Sequence, residues 1–140
     1  MFEAKAKFLI VDDFSNMRKI IKKVIGEMGY ENTVEASDGQ IAYELLVRHA
    51  KDGVPFEFII ADWNMPNMSG LELLKKCRNE EQFKKLPFMM VTAEADEKHI
   101  LEALRAGVTE YVVKPFSPVK LKEKLESSYK KIKTAGAKAG

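Results

Sequence analysis

Five polar side chains stand where short apolar runs stop. Asp12 and Asp13 follow Phe8-Leu9-Ile10-Val11, Asp62 follows Phe58-Ile59-Ile60-Ala61, Thr92 follows Phe88-Met89-Met90-Val91, and Lys114 follows Tyr111-Val112-Val113. Taken singly, each has an ordinary reading as a turn residue, a helix cap or a solvated strand end. Gathered in one place they have a chemistry. Two carboxylates about 4 Å apart repel by about 4 kcal/mol at an effective dielectric near 20, so three of them call for protons or a cation. Oxygen ligands without His or Cys favour Mg²⁺, which keeps several waters and takes one or two carboxylates plus a phosphate oxygen. Three carboxylates, one Mg²⁺ and the Lys114 ammonium sum to zero charge, a balance that admits an incoming phosphoryl dianion. A carboxylate can then attack phosphorus while metal and ammonium stabilise the transferring oxygens. Asp62 is the best-placed nucleophile, because its run is expected at the centre of a sheet and polar Asn64 and flexible Met68-Ser69-Gly70 follow it. The alternative for Asp62 is a role as metal ligand only.

The elements that must position these groups are legible as periodicity. The four apolar runs read as buried strands, and Thr33-Val34-Glu35-Ala36 alternates as an edge strand would. Between them, Met17, Ile20, Ile21, Val24, Ile25 and Met28 recur at helical spacing, with Ser15 as the expected N-cap and Gly29 as the stop. Ile41, Ala42, Leu45, Leu46 and His49 repeat the stripe after Asp38-Gly39, Leu71, Leu74 and Cys77 after Ser69-Gly70, and Ile100, Leu101 and Leu104 between Asp96 and Gly107. Ser117-Pro118 opens a fifth helix through Leu121, Leu125 and Ile132, with proline where its missing N–H costs little. Strand and helix alternate five times. This predicts an α/β fold, a doubly wound five-stranded parallel sheet with five helices, whose ligands bind beyond the carboxyl ends of the strands at the switch in strand order. In the order 2-1-3-4-5 the three carboxylates meet at that switch, and Thr92 and Lys114 arrive from strands four and five.

Composition narrows the classes. The chain has 140 residues, 46% hydrophobic and 31% charged, with 23 basic against 21 acidic side chains and a formal charge of +2. It reads as one domain over 1–140, with a core of about 5–131 and a frayed basic tail over 134–140. The small charge does not argue for nucleic acid or a membrane surface. One cysteine, Cys77, forms no internal disulfide and belongs to no zinc-like spacing, which fits a reducing cytoplasm. No signal peptide or membrane span is visible. The loop Ala50 to Glu57 reads as the longest connection.

The motifs Val11-Asp12-Asp13, Asp62-Trp63-Asn64-Met65-Pro66, Val91-Thr92-Ala93 and Val113-Lys114-Pro115-Phe116 resemble the four signatures of the receiver domain of bacterial response regulators. The longer runs around them are more similar to the chemotaxis receivers than to receivers at large, and the likeness covers about Lys5 to Lys131. It implies a flavodoxin-like receiver fold and phosphorylation of Asp62. It also implies Mg²⁺ held by Asp13, Asp62 and the backbone carbonyl of Asn64, with Asp12 assisting through water, and contacts from Thr92 and Lys114 to the phosphoryl group. A cis Lys114-Pro115 peptide, Tyr111 as an aromatic switch, and Asn64 and Glu94 as residues that tune dephosphorylation are implied as well. Trp63, partly exposed in relatives, is expected to report ligands by fluorescence. The implied output face joins the fourth helix, fifth strand and fifth helix and includes Tyr111 and Lys124. The implied partners of this cytoplasmic monomer are a chemotaxis histidine kinase and the flagellar motor switch protein, with a dedicated phosphatase left open. Such a domain is not a classical enzyme, since it catalyses only its own phosphorylation and dephosphorylation.

Two features depart from the chemotaxis pattern: Ser69 replaces the usual Asp, and the loop over residues 51–56 is longer. Rival readings remain at this level. One is a phosphorelay shuttle passing the phosphoryl group to a second histidine. Another is a Mg²⁺-dependent phosphatase with an Asp nucleophile, which lacks its usual D-x-D because Asp12 and Asp13 are adjacent. A dinucleotide site would need G-x-G-x-x-G after the first strand, which is missing. The seven Met residues read as packing. His49 and His99 read as surface or interface residues without a third ligand. Seven Lys against Glu123 and Glu126 give residues 120–140 a surplus of +5, so residues 1–119 carry −3 of the total +2. That basic end borders the expected output face, where charge can steer an acidic partner.

Overall fold

Alternate residues of a strand point to opposite faces of its sheet, and here each face of the apolar runs finds its own helical layer. In this computed structural model the backbone is described for residues 5–139 and side chains for residues 5–131. Five strands, β1 (Phe8–Val11), β2 (Thr33–Ala36), β3 (Phe58–Ala61), β4 (Phe88–Thr92) and β5 (Glu110–Val113), alternate with α1 (Ser15–Glu27), α2 (Gly39–Lys51), α3 (Gly70–Arg78), α4 (Glu97–Arg105) and α5 (Pro118–Ala139). All pairings are parallel, and the sheet order is β2-β1-β3-β4-β5, as expected. Phe8, Ile10, Phe58, Ile60, Met89 and Val91 pack on one face with Ile21, Val24 and Ile25 of α1 and Leu121 and Leu125 of α5. Leu9, Val11, Ile59, Ala61, Phe88 and Met90 pack on the other with Ala42, Leu46, Leu73, Leu74, Cys77 and Ala103 from α2, α3 and α4. Each Val, Leu, Ile, Phe or Met side chain among these contributes roughly 1.5–3 kcal/mol on removal from water, before entropy is counted. No helix among the described residues is long and apolar enough to cross a membrane.

Local chemistry sets the ends of the helices. Asp38 caps α2 by accepting from the Ile41 N–H, and Ser69 and Glu72 form a reciprocal capping box on α3. The departure at Ser69 therefore has a structural use. Asp96 caps α4, and Ser117 Oγ accepts from the Lys120 N–H at the start of α5. Gly29, at φ 98°, ends α1 with its N–H on the Gly26 carbonyl while the Tyr30 N–H returns to Ile25.

Three expectations need correction. The N-cap of α1 is Phe14, not Ser15, because Asp12 Oδ1 accepts the Phe14 N–H at 2.9 Å and starts the helix one residue early. The connection over residues 79–87 is longer than that over 52–57. It is pinned by Arg78, which donates to the carbonyls of Phe83, Leu86 and Gly107. The stretch from Thr134, expected to fray, is helical backbone as far as Ala139, carried past Gly136 by Ala135, Ala137, Lys138 and Ala139, which are good helix formers; its side chains lie outside the described residues.

At the amino ends of the strands, Lys7 Nζ donates to His49 Nδ1 at 2.8 Å and lies over the Phe56 ring, 5.3 Å from its centroid. His49 also stacks on Phe56 at 4.6 Å, so it is a packed residue rather than a bare surface one. Burial first, then the Lys7 and Arg48 charges, lower the His49 pKa. The native state therefore binds fewer protons than the unfolded chain just below the ordinary His value of about 6.5. Its contribution to stability is complete above that pH and is lost as pH falls through the lowered native value. Urea midpoints measured from pH 8 to pH 5 are expected to drop more steeply in the native sequence than in His49→Gln; parallel curves would sink this assignment.

Candidate functional site

The carboxyl ends of β1, β3, β4 and β5 lie side by side, because Val11 pairs with Ala61, Ala61 with Met90, and Thr92 with Val113. Chain direction and register thus deliver Asp12, Asp13, Asp62, Thr92 and Lys114 to one rim of the sheet. Asp12, Asp13 and Asp62 each offer a carboxylate oxygen within 4.8 Å of the others. Lys114 Nζ donates to Asp12 Oδ2 at 2.8 Å and to Asp62 Oδ2 at 3.0 Å. Asp12 is 1% exposed and Asp62 8%, while Asp13 faces solvent. The second oxygens of the buried pair also have donors: Asp12 Oδ1 takes the Phe14 N–H and Asp62 Oδ1 the Trp63 N–H.

The electrostatics are those of an anionic site with one cation. Burial pushes the Asp12 carboxyl up, and its bonds to Lys114 and Phe14 only partly offset this. Burial by itself would lower the Lys114 ammonium, but its bonds to Asp12 and Asp62 and their charges outweigh that, and its pKa is raised. Both directions follow from carboxylates outnumbering the ammonium in a poorly hydrated place. With all three carboxylates ionised the cluster carries a formal −2, which a dication matches. The donors are oxygen alone, open to solvent on the Asp13 side, and fit a hard divalent cation.

Around this cluster the loops are anchored. Thr92, with no exposed surface, ends β4 and accepts the Glu94 N–H at 3.3 Å. Tyr111 Oη donates to the Glu94 carbonyl at 2.6 Å, so the segment after β4 is held at both ends. Asn64 Nδ2 donates to Glu94 Oε1 at 2.7 Å, which joins the two positions singled out as tuning residues. The Lys114-Pro115 peptide is cis, as expected. The segment Met68-Ser69-Gly70, expected to be flexible, is tied down: the Met68 carbonyl accepts from the Gly39 N–H and the Gly70 N–H donates to the Trp63 carbonyl.

Other expectations fare differently. Trp63 is 8% exposed and packs into the core rather than standing partly exposed, with the ring of His99 edge-on against it. Lys124, expected on the output face, forms an ion pair with Glu110 of β5 at 3.3 Å. His99 has the company that its sequence position did not reveal, since it gathers with Glu94 and Asp96. Only the Asp96/His99 spacing across an N-cap was a visible signal; Glu94 belongs to the loop before it. Arg18 is a further residue missed from sequence: it donates to the Asp12 carbonyl at 2.6 Å and pairs with Glu35 at 2.9 Å, bracing the β1 end.

A model of the response regulator receiver domain matches residues 8–126. The chain is 48% identical over 126 residues to chemotaxis protein CheY-3 of Vibrio cholerae, covering 90% of this chain and 93% of that one. It is 49% identical over 126 residues to chemotaxis protein CheY of Pseudomonas aeruginosa, covering 90% and 98%. Among solved structures, the chemotaxis response regulator CheY4 of Vibrio cholerae superposes with a TM-score of 0.75 at 35% identity, covering 89% of this chain and 98% of that one.

Proposed function

Because the chain belongs to the response regulator receiver domain family, we propose that it is a chemotaxis phosphoacceptor switch in which Asp62 receives the phosphoryl group of a histidine kinase. The observation that carries this reading is the Lys114 ammonium bridging buried Asp12 and Asp62 at the carboxyl ends of adjacent strands. Asp62 attacks phosphorus, a carboxylate O–P bond forms, and the P–N bond to the kinase imidazole breaks, leaving the electron pair on that nitrogen. Asp12, Asp13, Asp62 and the Asn64 backbone carbonyl are the groups that would hold Mg²⁺. When bound, Mg²⁺ neutralises carboxylate charge and stabilises the oxygens of the transferring group. Lys114 then exchanges its bond to Asp62 Oδ2 for a phosphoryl oxygen, and the Thr92 hydroxyl supplies a second contact.

The new bonds would draw Thr92 away from the Glu94 N–H, and the Tyr111–Glu94 bond passes that shift to α4 and β5. A change from 1:99 to 99:1 between conformers takes about 5.5 kcal/mol of differential stabilisation, which charge-assisted bonds at about 1.5–3 kcal/mol each approach. The output face is α4-β5-α5, where Leu104 is 56% and Val119 63% exposed. Its target is the flagellar motor switch protein, and the site of action is the cytoplasm. Asn64 and Glu94 set how water reaches the acyl phosphate.

Incubation with acetyl phosphate and Mg²⁺, followed by intact mass measurement, is expected to add one phosphoryl group to the native chain and none to Asp62→Asn. An unchanged mass of the native chain with Mg²⁺ present would end this reading.

A further inference from the structure

A second cluster of metal-ligating side chains lies on the rim, with a different ligand chemistry. Glu94, Asp96 and His99 each offer one ligand atom within 4.8 Å of the others. The imidazole is oriented twice. Its Nδ1 lies 2.5 Å from Asp96 Oδ1, and its ring meets Trp63 edge-on with centroids 4.8 Å apart. An ionised Asp96 can only accept, so Nδ1 carries the proton, and in the neutral ring Nε2 presents its lone pair. That nitrogen faces Glu94 Oε2 at 3.7 Å, too far for a hydrogen bond.

Glu94 is fixed as well. Its Oε1 takes the Asn64 amide, its N–H reaches Thr92 Oγ1, and its carbonyl takes the Tyr111 hydroxyl. The gap between Nε2 and Oε2 is therefore bounded by two held ligands. Metal–nitrogen and metal–oxygen bonds of about 2.0–2.2 Å at a tetrahedral angle set the two donors roughly 3.4 Å apart, so a small closure of the present separation suffices. Asp96 behind Nδ1 reproduces the carboxylate–histidine pairing that commonly supports a metal-bound imidazole.

We propose that His99 Nε2 and Glu94 Oε2, with Asp96 as the outer carboxylate, form a second divalent-metal site selective for imidazole-preferring ions such as Zn²⁺ or Ni²⁺ over Mg²⁺. Water completes the coordination, since these two side chains are its only direct protein ligands. Nitrogen ligation separates this site from the oxygen-only aspartate cluster. The ion ties the Glu94 carboxylate, and Asn64 through it, to the first turn of α4. Metal binding itself does not depend on the phosphoacceptor reading, so the two fail separately.

Zn²⁺ titrations by calorimetry, in excess Mg²⁺ to occupy the aspartate cluster, should show a site that weakens about tenfold or more in both His99→Gln and Glu94→Gln. His49→Gln and Asp13→Asn should leave it unchanged. In the same excess of Mg²⁺, Ni²⁺ should quench Trp63 fluorescence in the native chain and not in His99→Gln. Zn²⁺ affinity that survives both His99→Gln and Glu94→Gln, or that falls as far in Asp13→Asn, overturns the proposal, as does quenching that persists without His99.

Discussion

Lys114→Met is expected to slow phosphorylation by acetyl phosphate by about 10²–10³-fold, the scale on which a preorganised charge at a transferring oxygen is felt. The side chain is the only cation bonded to the carboxylates of Asp12 and Asp62 among the described residues. Its loss also changes stability. Removing one partner of a buried pair costs about 3–5 kcal/mol when the remaining charge stays uncompensated, and here two carboxylates stay behind. They relieve the strain by taking a proton. Asp12, already raised by burial, is raised further, so the native state holds a proton that the unfolded chain releases above about pH 4. Stability of the variant should therefore decline as pH rises from the acid side toward neutrality. The native chain has the opposite safeguard: the raised Lys114 pKa contributes stability that is full below about 10.5 and is lost only as pH rises through the native value. Mg²⁺ should raise the urea midpoint of Lys114→Met more than that of the native chain, because the cation takes over the neutralising role. Unchanged rates, or an equal Mg²⁺ effect in both proteins, would show that the Lys114 bridge does not govern the site.

Gly70→Ala should unfold the chain more easily by about 3 kcal/mol, the upper end of the usual overpacking range. A Cβ at this position would lie 2.0 Å from the Asp62 carbonyl oxygen and 2.9 Å from its carbon. Those atoms are backbone, so no rotamer change makes room. Either α3 lifts from the sheet or the Asp62 peptide moves, and the second outcome displaces the nucleophile as well. Gly26→Ala is the matched control: a Cβ there meets nothing within 4 Å, and in the last turn of α1 alanine should be neutral or stabilise by up to about 1 kcal/mol. Urea denaturation of the two variants should give shifts of opposite sign or widely different size. A Gly70→Ala midpoint equal to the native one would refute the close approach of α3 to the β3 end.

The two substitutions mark a boundary in what the chain discloses. Gly70 is legible as the start of a helix, since Ser69 precedes it and Glu72 completes the capping box. That its Cα presses on the peptide of Asp62 is a property of how α3 crosses the end of β3, and no local spacing encodes it. Trp63 makes the same point: the family likeness implies partial exposure, whereas α4 brings His99 against the ring, which is buried.

The sequence by itself determined the elements, their parallel order and the five polar residues at the strand ends. The reason is that these depend on period, on turn chemistry and on the rule that buried parallel strands place their ligands at one rim. Tertiary structure alone decided the pairings that set charge and access. Lys114 reaches Asp12 across 102 positions of chain, and Asn64 reaches Glu94 across 30. His99 faces Glu94 rather than open solvent because the α4 N-cap at Asp96 holds its ring. Such contacts depend on rotamers and on the approach of separate helices and loops, which hydrophobic periodicity constrains only to the nearest face.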